Sequence, residues 1–379
     1  MSTSMLVVAG DVSGDMHAAT LLKEVRAARP DLQVFGIGGE QLRAAGTEIL
    51  YDAREMSVFG LPEVLKRYRF FKRVFEDMVE QARVRRPDVV LLVDYGGFNI
   101  RFAQRMHELG LKVIYFICPQ VWASRRSRIA KIAAAVDRLM VIFPFEVPLF
   151  EGLGPRVDFV GHPLVDEAAR ALSEPEKALP WAGEPRIALL PGSRTQELKL
   201  ILPVMLEAAA RLEAQVPGAS YVIATPSSTV TAIVQDMLRT ATRLPTRLEV
   251  VEGETRQVLR QARAAWVASG TATIEAALMR CPMAVVYRTS WLLYRLGRWL
   301  IRVSHIGMVN VLAGREICPE LIQGQATPEA LAHALQPLLG ETDERKAMLN
   351  DLARVVDTLG EGGAIHRAAA IVQEELGCG

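Results

Sequence analysis

Residues 187–190 are apolar and stop abruptly at Pro191, Gly192, Ser193 and Arg194, after which a helical pattern begins. The pattern predicts a strand, a tight turn and a helix start. Such a turn offers a close backbone approach at Gly192, a hydroxyl on Ser193 and a fixed charge on Arg194. A phosphate gains from helix N-terminal donors and a forked guanidinium together. The same residues also make an ordinary βα turn with a solvated arginine. A second turn of this kind is Ser269, Gly270, Thr271, Ala272 and Thr273, with Glu275 in the first helical turn after it. A carboxylate there can accept two hydrogen bonds from a ribose diol. It can equally close a capping box opened at Thr271 or Ala272, although the register is imperfect. Asn310 and Arg315 add polar groups to an otherwise apolar stretch. A nucleotide diphosphate would use all of these groups. Neither turn is a GxGxxG fingerprint and no GxxxxGK lysine is present, which ranks dinucleotide chemistry low.

The first half holds a different set: Asp11, Asp15, His17, Asp94 and His162. Asp11 and Asp15 lie in a glycine-containing turn between the first apolar run and the first helical pattern. Acidic groups there would repel a bare phosphate and suit hydroxyl groups or proton transfer; Asp11 or Ser13 can also be a helix N-cap. Asp94 ends the apolar run 89–93, where open α/β sheets bind substrates. Glycosyl transfer from a nucleotide sugar needs a base for the acceptor hydroxyl and compensation for the departing diphosphate. Asp11 or Asp94 could serve the first need, and Arg194 with the loop N–H groups the second. His17 could pair with a carboxylate or simply pack, and His162 before Pro163 reads as a turn residue. No Asp-x-Asp pair occurs, so no obligatory metal is expected.

The elements that must position these groups follow from the pattern. Short apolar runs alternate with helical periodicity through 379 residues that are 50% hydrophobic. That predicts an α/β fold of two doubly wound, Rossmann-like domains facing each other across a central cleft. The expected divisions are a first domain over 1–165, a proline-rich linker over 166–185, a second domain over 186–342 and closing helices over 343–379. Those helices can cross back onto the first domain. A formal charge of +1 argues against nucleic acid as a partner. The four cysteines are widely separated and lack CxxC spacing, which fits a reducing compartment. Met5 to Ala9 reads as a first strand rather than a signal peptide, and no apolar run reaches the length of a membrane span.

One stretch departs from this pattern. Between residues 56 and 86, Phe59, Phe70, Phe71 and Phe75 and several aliphatic residues alternate with Lys66, Arg67, Arg69, Lys72 and Arg73. A basic, aromatic amphipathic helix can lie on an anionic bilayer. It can equally be a surface helix whose apolar side packs on the sheet.

The motifs taken together resemble the lipid-A-disaccharide synthase family. The matching segments are 9–15, 87–94 with Phe98 and Asn99, 119–125, 160–163, 189–194 with Glu197, 268–275 and 310–316. They keep the family's order along nearly the whole chain. The resemblance implies an inverting glycosyltransferase of the GT-B type. It would join UDP-2,3-diacylglucosamine to 2,3-diacylglucosamine 1-phosphate, form a β-1,6-linked disaccharide phosphate and release UDP. By this reading Asp94, Asp11 and His17 are the catalytic candidates. Gly192, Ser193, Arg194, Ser269, Gly270, Thr271, Thr273, Glu275, Asn310 and Arg315 are the donor-binding candidates. The family's peripheral membrane contact, on the inner face of the cytoplasmic membrane, would fall on about 56–75, and the chain would act as a monomer or homodimer. Three places depart from the family's usual residues: Asp11 stands where a Glu is usual, Gly97 where an Asp is usual, and the segment 305–310 differs from the usual form. A glycosyltransferase with another lipid acceptor, a nucleotide-sugar epimerase and a weakened membrane-associated binding protein are the alternatives.

Overall fold

The computed structural model describes residues 3–56, 67–124, 127–291, 294–295 and 304–377. They form two compact units. The first comprises residues 1–163 with 359–379, and the second residues 164–358.

The first unit is built on seven parallel strands: β1 (Ser4–Ala9), β2 (Gln33–Gly38), β3 (Glu48–Asp52), β4 (Val89–Val93), β5 (Val113–Phe116), β6 (Arg138–Val141) and β7 (Arg156–Phe159). Their order in the sheet is β3-β2-β1-β4-β5-β6-β7. The strands read as unbroken apolar runs because helices cover both faces of a parallel sheet. Every residue of β4 is fully buried. The chain leaves β1 in one direction and returns for β4 on its other side, so a topological switch point lies between these neighbours. Their register pairs Ala9 with Val93, which sets the turn carrying Asp11 beside Asp94.

The helices that matter in this unit are α1 (Val12–Ala28), α2 (Glu40–Ala44), α3 (Tyr68–Arg85) and α4 (Gly96–Glu108). In α3, Val74, Met78 and Ala82 are buried at four-residue spacing. Phe75 meets the rings of Phe98 and Phe102 of α4 edge-on. This part of the basic aromatic stretch therefore packs on the core, while Arg69, Lys72 and Arg73 are exposed. Residues 57–66, the other part of the expected membrane contact, lie outside the described residues.

The second unit repeats the plan with helix α5 (Pro163–Ser173) leading into strands β8 (Arg186–Leu190), β9 (Ser220–Thr225), β10 (Leu248–Glu252), β11 (Ala264–Ala268), β12 (Met283–Tyr287) and β13 (Glu320–Ile322). The sheet order is β10-β9-β8-β11-β12-β13, all parallel. Here the switch point lies between β8 and β11. Leu190 pairs with Val267, so the turns after the two strands are neighbours. Helices α6 (Thr195–Gln215), α7 (Thr255–Gln261), α8 (Ala272–Leu278) and α9 (Met308–Ala313) complete the surroundings of that point.

Two expected divisions differ from what is observed. The expected linker 166–185 begins as α5, because Leu164 and Ala168 are buried four residues apart and the prolines start only at Pro175. The closing block 343–379 is split: α10 (Asp343–Thr358) packs on α8 and α9 in the second unit, whereas α11 (Ala364–Glu375) packs on α1 in the first. Arg138 fastens α11. Its side chain, 2% exposed, reaches Asp158, Glu374 and Glu375. Among the described residues, no helix is long and apolar enough to cross a membrane.

Candidate active site

In the second unit the two turns after β8 and β11 line a cavity of about 280 Å³ with Glu197, Thr255 and Glu275. Gly192 has φ +103°, a conformation other residues rarely adopt, and a Cβ there would stand 2.8 Å from Glu197 Oε2. The bare backbone lets Glu197 fold back under the turn, where its Oε1 accepts from Arg194 Nη1 at 2.7 Å. This i,i+3 ion pair is largely exposed and worth about 0.5 kcal/mol or less. A bidentate phosphate contact outweighs it, so the pair parks the guanidinium without committing it. The 21-residue helix α6 starts here with no side-chain cap from Arg194. Its first-turn N–H groups and its dipole favour an anion at this end.

The second turn divides its labour. Ser269 Oγ donates to the Ile306 carbonyl at 2.8 Å, and Thr273 Oγ1 donates to the Gly270 carbonyl at 2.7 Å from a fully buried position. These two hydroxyls shape the loop. Gly270, with φ +135° and open space beside it, and the exposed Thr271 form the cavity surface. Glu275 follows in α8. Burial pushes its carboxyl up, Arg256 opposes that shift, and Glu167 adds to it.

Two expected donor-binding residues stand elsewhere. The Asn310 side chain is fully buried and saturated: Nδ2 donates to Cys318 O and Glu320 Oε1, while Oδ1 accepts from the N–H groups of Ile317 and Cys318. It staples residues 317–320 to α9 and offers nothing to a ligand. Arg315 follows the left-handed turn at Gly314 and pairs with Asp351 of α10, outside the cavity.

In the first unit, Asp11 caps α1, its Oδ1 accepting from Gly14 N at 2.7 Å. Asp94 and Tyr95 take successive left-handed conformations, φ 45° and 51°. Neighbours hold this strained pair in place. The Asp94 carbonyl accepts from Tyr115 Oη at 2.6 Å and Asn99 Nδ2 at 2.8 Å, and Tyr95 Oη donates to the Met56 carbonyl at 2.7 Å. Gly10 is required here, because a Cβ would lie 2.4 Å from the Tyr95 ring. Burial, and then the charge of Asp11, push the Asp94 carboxyl up to about 6. At neutral pH it is an ionised base whose proton affinity lies close to the working pH, as general-base catalysis favours.

The remaining first-unit candidates sort differently. Asp15 is buried and accepts from the N–H groups of Gly39, Gln41 and Leu42, so it organises the start of α2. His162 is buried against Phe143, and burial followed by the charge of His17 takes its imidazole down to about 3. It is neutral at physiological pH. His17 is half-buried on α1 near His162. Gly97, on the first turn of α4, is exposed, and an added Cβ would meet nothing within 4 Å. Sequence reasoning missed the buried Glu146, whose carboxyl burial pushes up to about 8, and Arg256 beside Glu275. For Glu197, quoted only as part of a motif, opposite charge three residues from Arg194 was a readable signal.

The sequence model of the family described as lipid-A-disaccharide synthetase matches residues 5–374. The chain belongs to this family. It is 43% identical over 380 residues to the lipid-A-disaccharide synthase of Anaeromyxobacter sp. (strain K), covering 100% of this chain and 98% of that one. It is 41% identical to the lipid-A-disaccharide synthase of Myxococcus xanthus (strain DK1622), covering 98% and 97%. Solved structures share the fold at low identity. A UDP-GlcNAc 2-epimerase from Neisseria meningitidis bound to UDP-GlcNAc superposes with a TM-score of 0.67 at 13% identity, covering 98% of this chain and 100% of that chain. CalG4, the calicheamicin glycosyltransferase, gives 0.61 at 16% identity, covering 99% and 98%. The architecture is the GT-B type, two Rossmann-like domains, and membership of the family makes the chain a glycosyltransferase. Among the described residues, no group of three or more His, Cys, Asp or Glu is placed to hold a metal ion.

Proposed function

We propose that this glycosyltransferase moves a 2,3-diacylglucosamine unit from its UDP donor to 2,3-diacylglucosamine 1-phosphate, giving the β-1,6 disaccharide phosphate and UDP. The observation that carries the reading is Asp94, a carboxylate at the β1/β4 switch point with its proton affinity raised toward neutrality, in a chain of this family. In this reaction Asp94 accepts the proton of the acceptor hydroxyl as its oxygen attacks the anomeric carbon. The bond from that carbon to the diphosphate oxygen breaks on the opposite side, and UDP leaves with the electron pair. One displacement inverts the centre. Arg194 and the α6 N-terminus take up the charge of the diphosphate, and Glu275 accepts from the ribose hydroxyls. Gly192, Gly270 and Thr271 supply backbone surface, while Ser269 and Thr273 hold that surface in shape.

The test on the donor side is UDP binding by calorimetry. Charge-assisted phosphate contacts contribute about 1.5–3 kcal/mol, and release of Glu197 lowers the net effect. Arg194→Ala is expected to weaken UDP by about tenfold; equal affinity in the variant would remove Arg194 from the site. The exposed Arg69, Lys72 and Arg73 support attachment of the first unit to an anionic membrane surface.

A further inference from the structure

Glu275 does not stand alone. Its Oε1 lies 3.2 Å from Arg256 Nη2, and the same guanidinium nitrogen bonds Glu167 Oε2. Three separate helices of the second unit therefore meet at one cation: α5 brings Glu167, α7 brings Arg256 and α8 brings Glu275. All three side chains are between 21% and 31% exposed, dry enough for the charges to matter and open enough for a ligand to reach Glu275. Arg256 Nε is buried without a hydrogen-bond partner among the described residues, so the two carboxylates on Nη2 fix where the guanidinium sits. Glu275 and Thr255, the residue before Arg256, line the cavity, whereas Arg256 and Glu167 do not.

We propose that Arg256, anchored by Glu167, is a positioning residue that holds Glu275 as an oriented carboxylate for a nucleotide ribose diol. This rests on the reading of the cavity as the UDP site. Held by Arg256 through Oε1, Glu275 keeps its other oxygen and a lone pair of the first directed away from the cation. An ionised carboxylate is acceptor-only and takes both ribose hydroxyls in charge-assisted hydrogen bonds, whereas a protonated one turns one oxygen into a donor and loses that charge. Without Arg256, two carboxylates that shared one nitrogen would face each other with no cation between them, and the cheaper arrangement protonates or rotates Glu275. Glu167 sets the strength of the hold. It competes for Arg256, yet it also stops the guanidinium from swinging into the cavity.

The experiment compares UDP with 2′-deoxy-UDP by calorimetry on the full chain, with thermal unfolding as a fold check. Wild type is expected to prefer UDP by about tenfold or more, the contribution of a hydrogen bond to a charged group. Arg256→Gln is expected to bring that preference close to one while affinity for 2′-deoxy-UDP changes little. Adding Glu167→Gln to Arg256→Gln removes the facing charge and is expected to restore part of the preference. A purely structural tie would weaken both nucleotides alike. A wild type with no preference overturns the ribose reading itself. A wild-type preference that survives in folded Arg256→Gln, or a double variant no better than the single one, overturns the positioning role alone. If Arg256→Gln does not fold, Glu167→Gln decides: it unties the anchor and is expected to lower the preference, with affinity for 2′-deoxy-UDP little changed, and a preference unchanged in that variant contradicts the proposal.

Discussion

Asp94→Asn separates what this residue does for the fold from the role in the reaction proposed for it. Asparagine keeps the size of the side chain and tolerates the left-handed φ of 45° that alanine would resist. The backbone carbonyl still accepts from Tyr115 and Asn99, so the loop keeps its frame. What disappears is a buried charge. The carboxyl is raised from 3.8 to about 6 by burial first and by Asp11 second. A carboxyl raised on folding binds its proton more tightly in the folded than in the unfolded chain. Wild-type stability is therefore lost as pH rises from the unfolded value through the folded one, and the full penalty is present above about 6. A rise from 3.8 to about 6 corresponds to about 3 kcal/mol. The variant is thus expected to exceed wild type by under about 1 kcal/mol at pH 4 and by about 3 kcal/mol at pH 7.5. Urea unfolding at the two pH values reads this difference. Turnover is expected to fall by about 10²–10⁴, the usual contribution of a general base, with donor binding unchanged. A variant no more stable at pH 7.5, or stabilised equally at both pH values, would show that the Asp94 charge is not held against burial.

Gly97→Asp should be accommodated without strain, because a Cβ meets open space, and is expected to raise disaccharide formation several-fold if a second carboxylate assists the acceptor; steady-state kinetics on both proteins checks this. Gly10→Ala drives a methyl into the Tyr95 ring and should lower turnover at least tenfold through displacement of Asp94, with UDP affinity intact by calorimetry. Arg138→Ala leaves Asp158, Glu374 and Glu375 without their shared cation. Arg156 still reaches Asp158 and Glu374 and Lys112 still reaches Glu375, so the loss is expected to fall short of the about 3–5 kcal/mol of a broken buried pair and to show as earlier loss of α11 protection in hydrogen exchange.

The sheets were legible because parallel strands buried on both faces read as unbroken apolar runs, and residues 5–9, 89–93 and 187–190 all do so. The switch-point turns were legible as turns because each apolar run stops in residues that favour tight turns and helix starts. The fates of the polar residues were not. Asn310 looks available in a local reading, yet its amide is consumed by Cys318 and Glu320 across a turn whose path is set by β13. Arg315 carries the same charge wherever it points, and the partner that claims it, Asp351, lies 36 residues on. Thr273 falls on the buried side of α8 by helical phase, which the first-turn motif conceals. The Glu167–Arg256–Glu275 cluster joins positions up to 108 residues apart in the sequence, a pairing that local pattern does not encode.

Product analysis bears most directly on the central claim. The purified chain is incubated with UDP-2,3-diacylglucosamine and 2,3-diacylglucosamine 1-phosphate, and the products are followed by mass spectrometry. Disaccharide phosphate and UDP are expected in equal amounts, with both suppressed in Asp94→Asn. UDP released without disaccharide, or disaccharide formed equally well by that variant, would contradict the account.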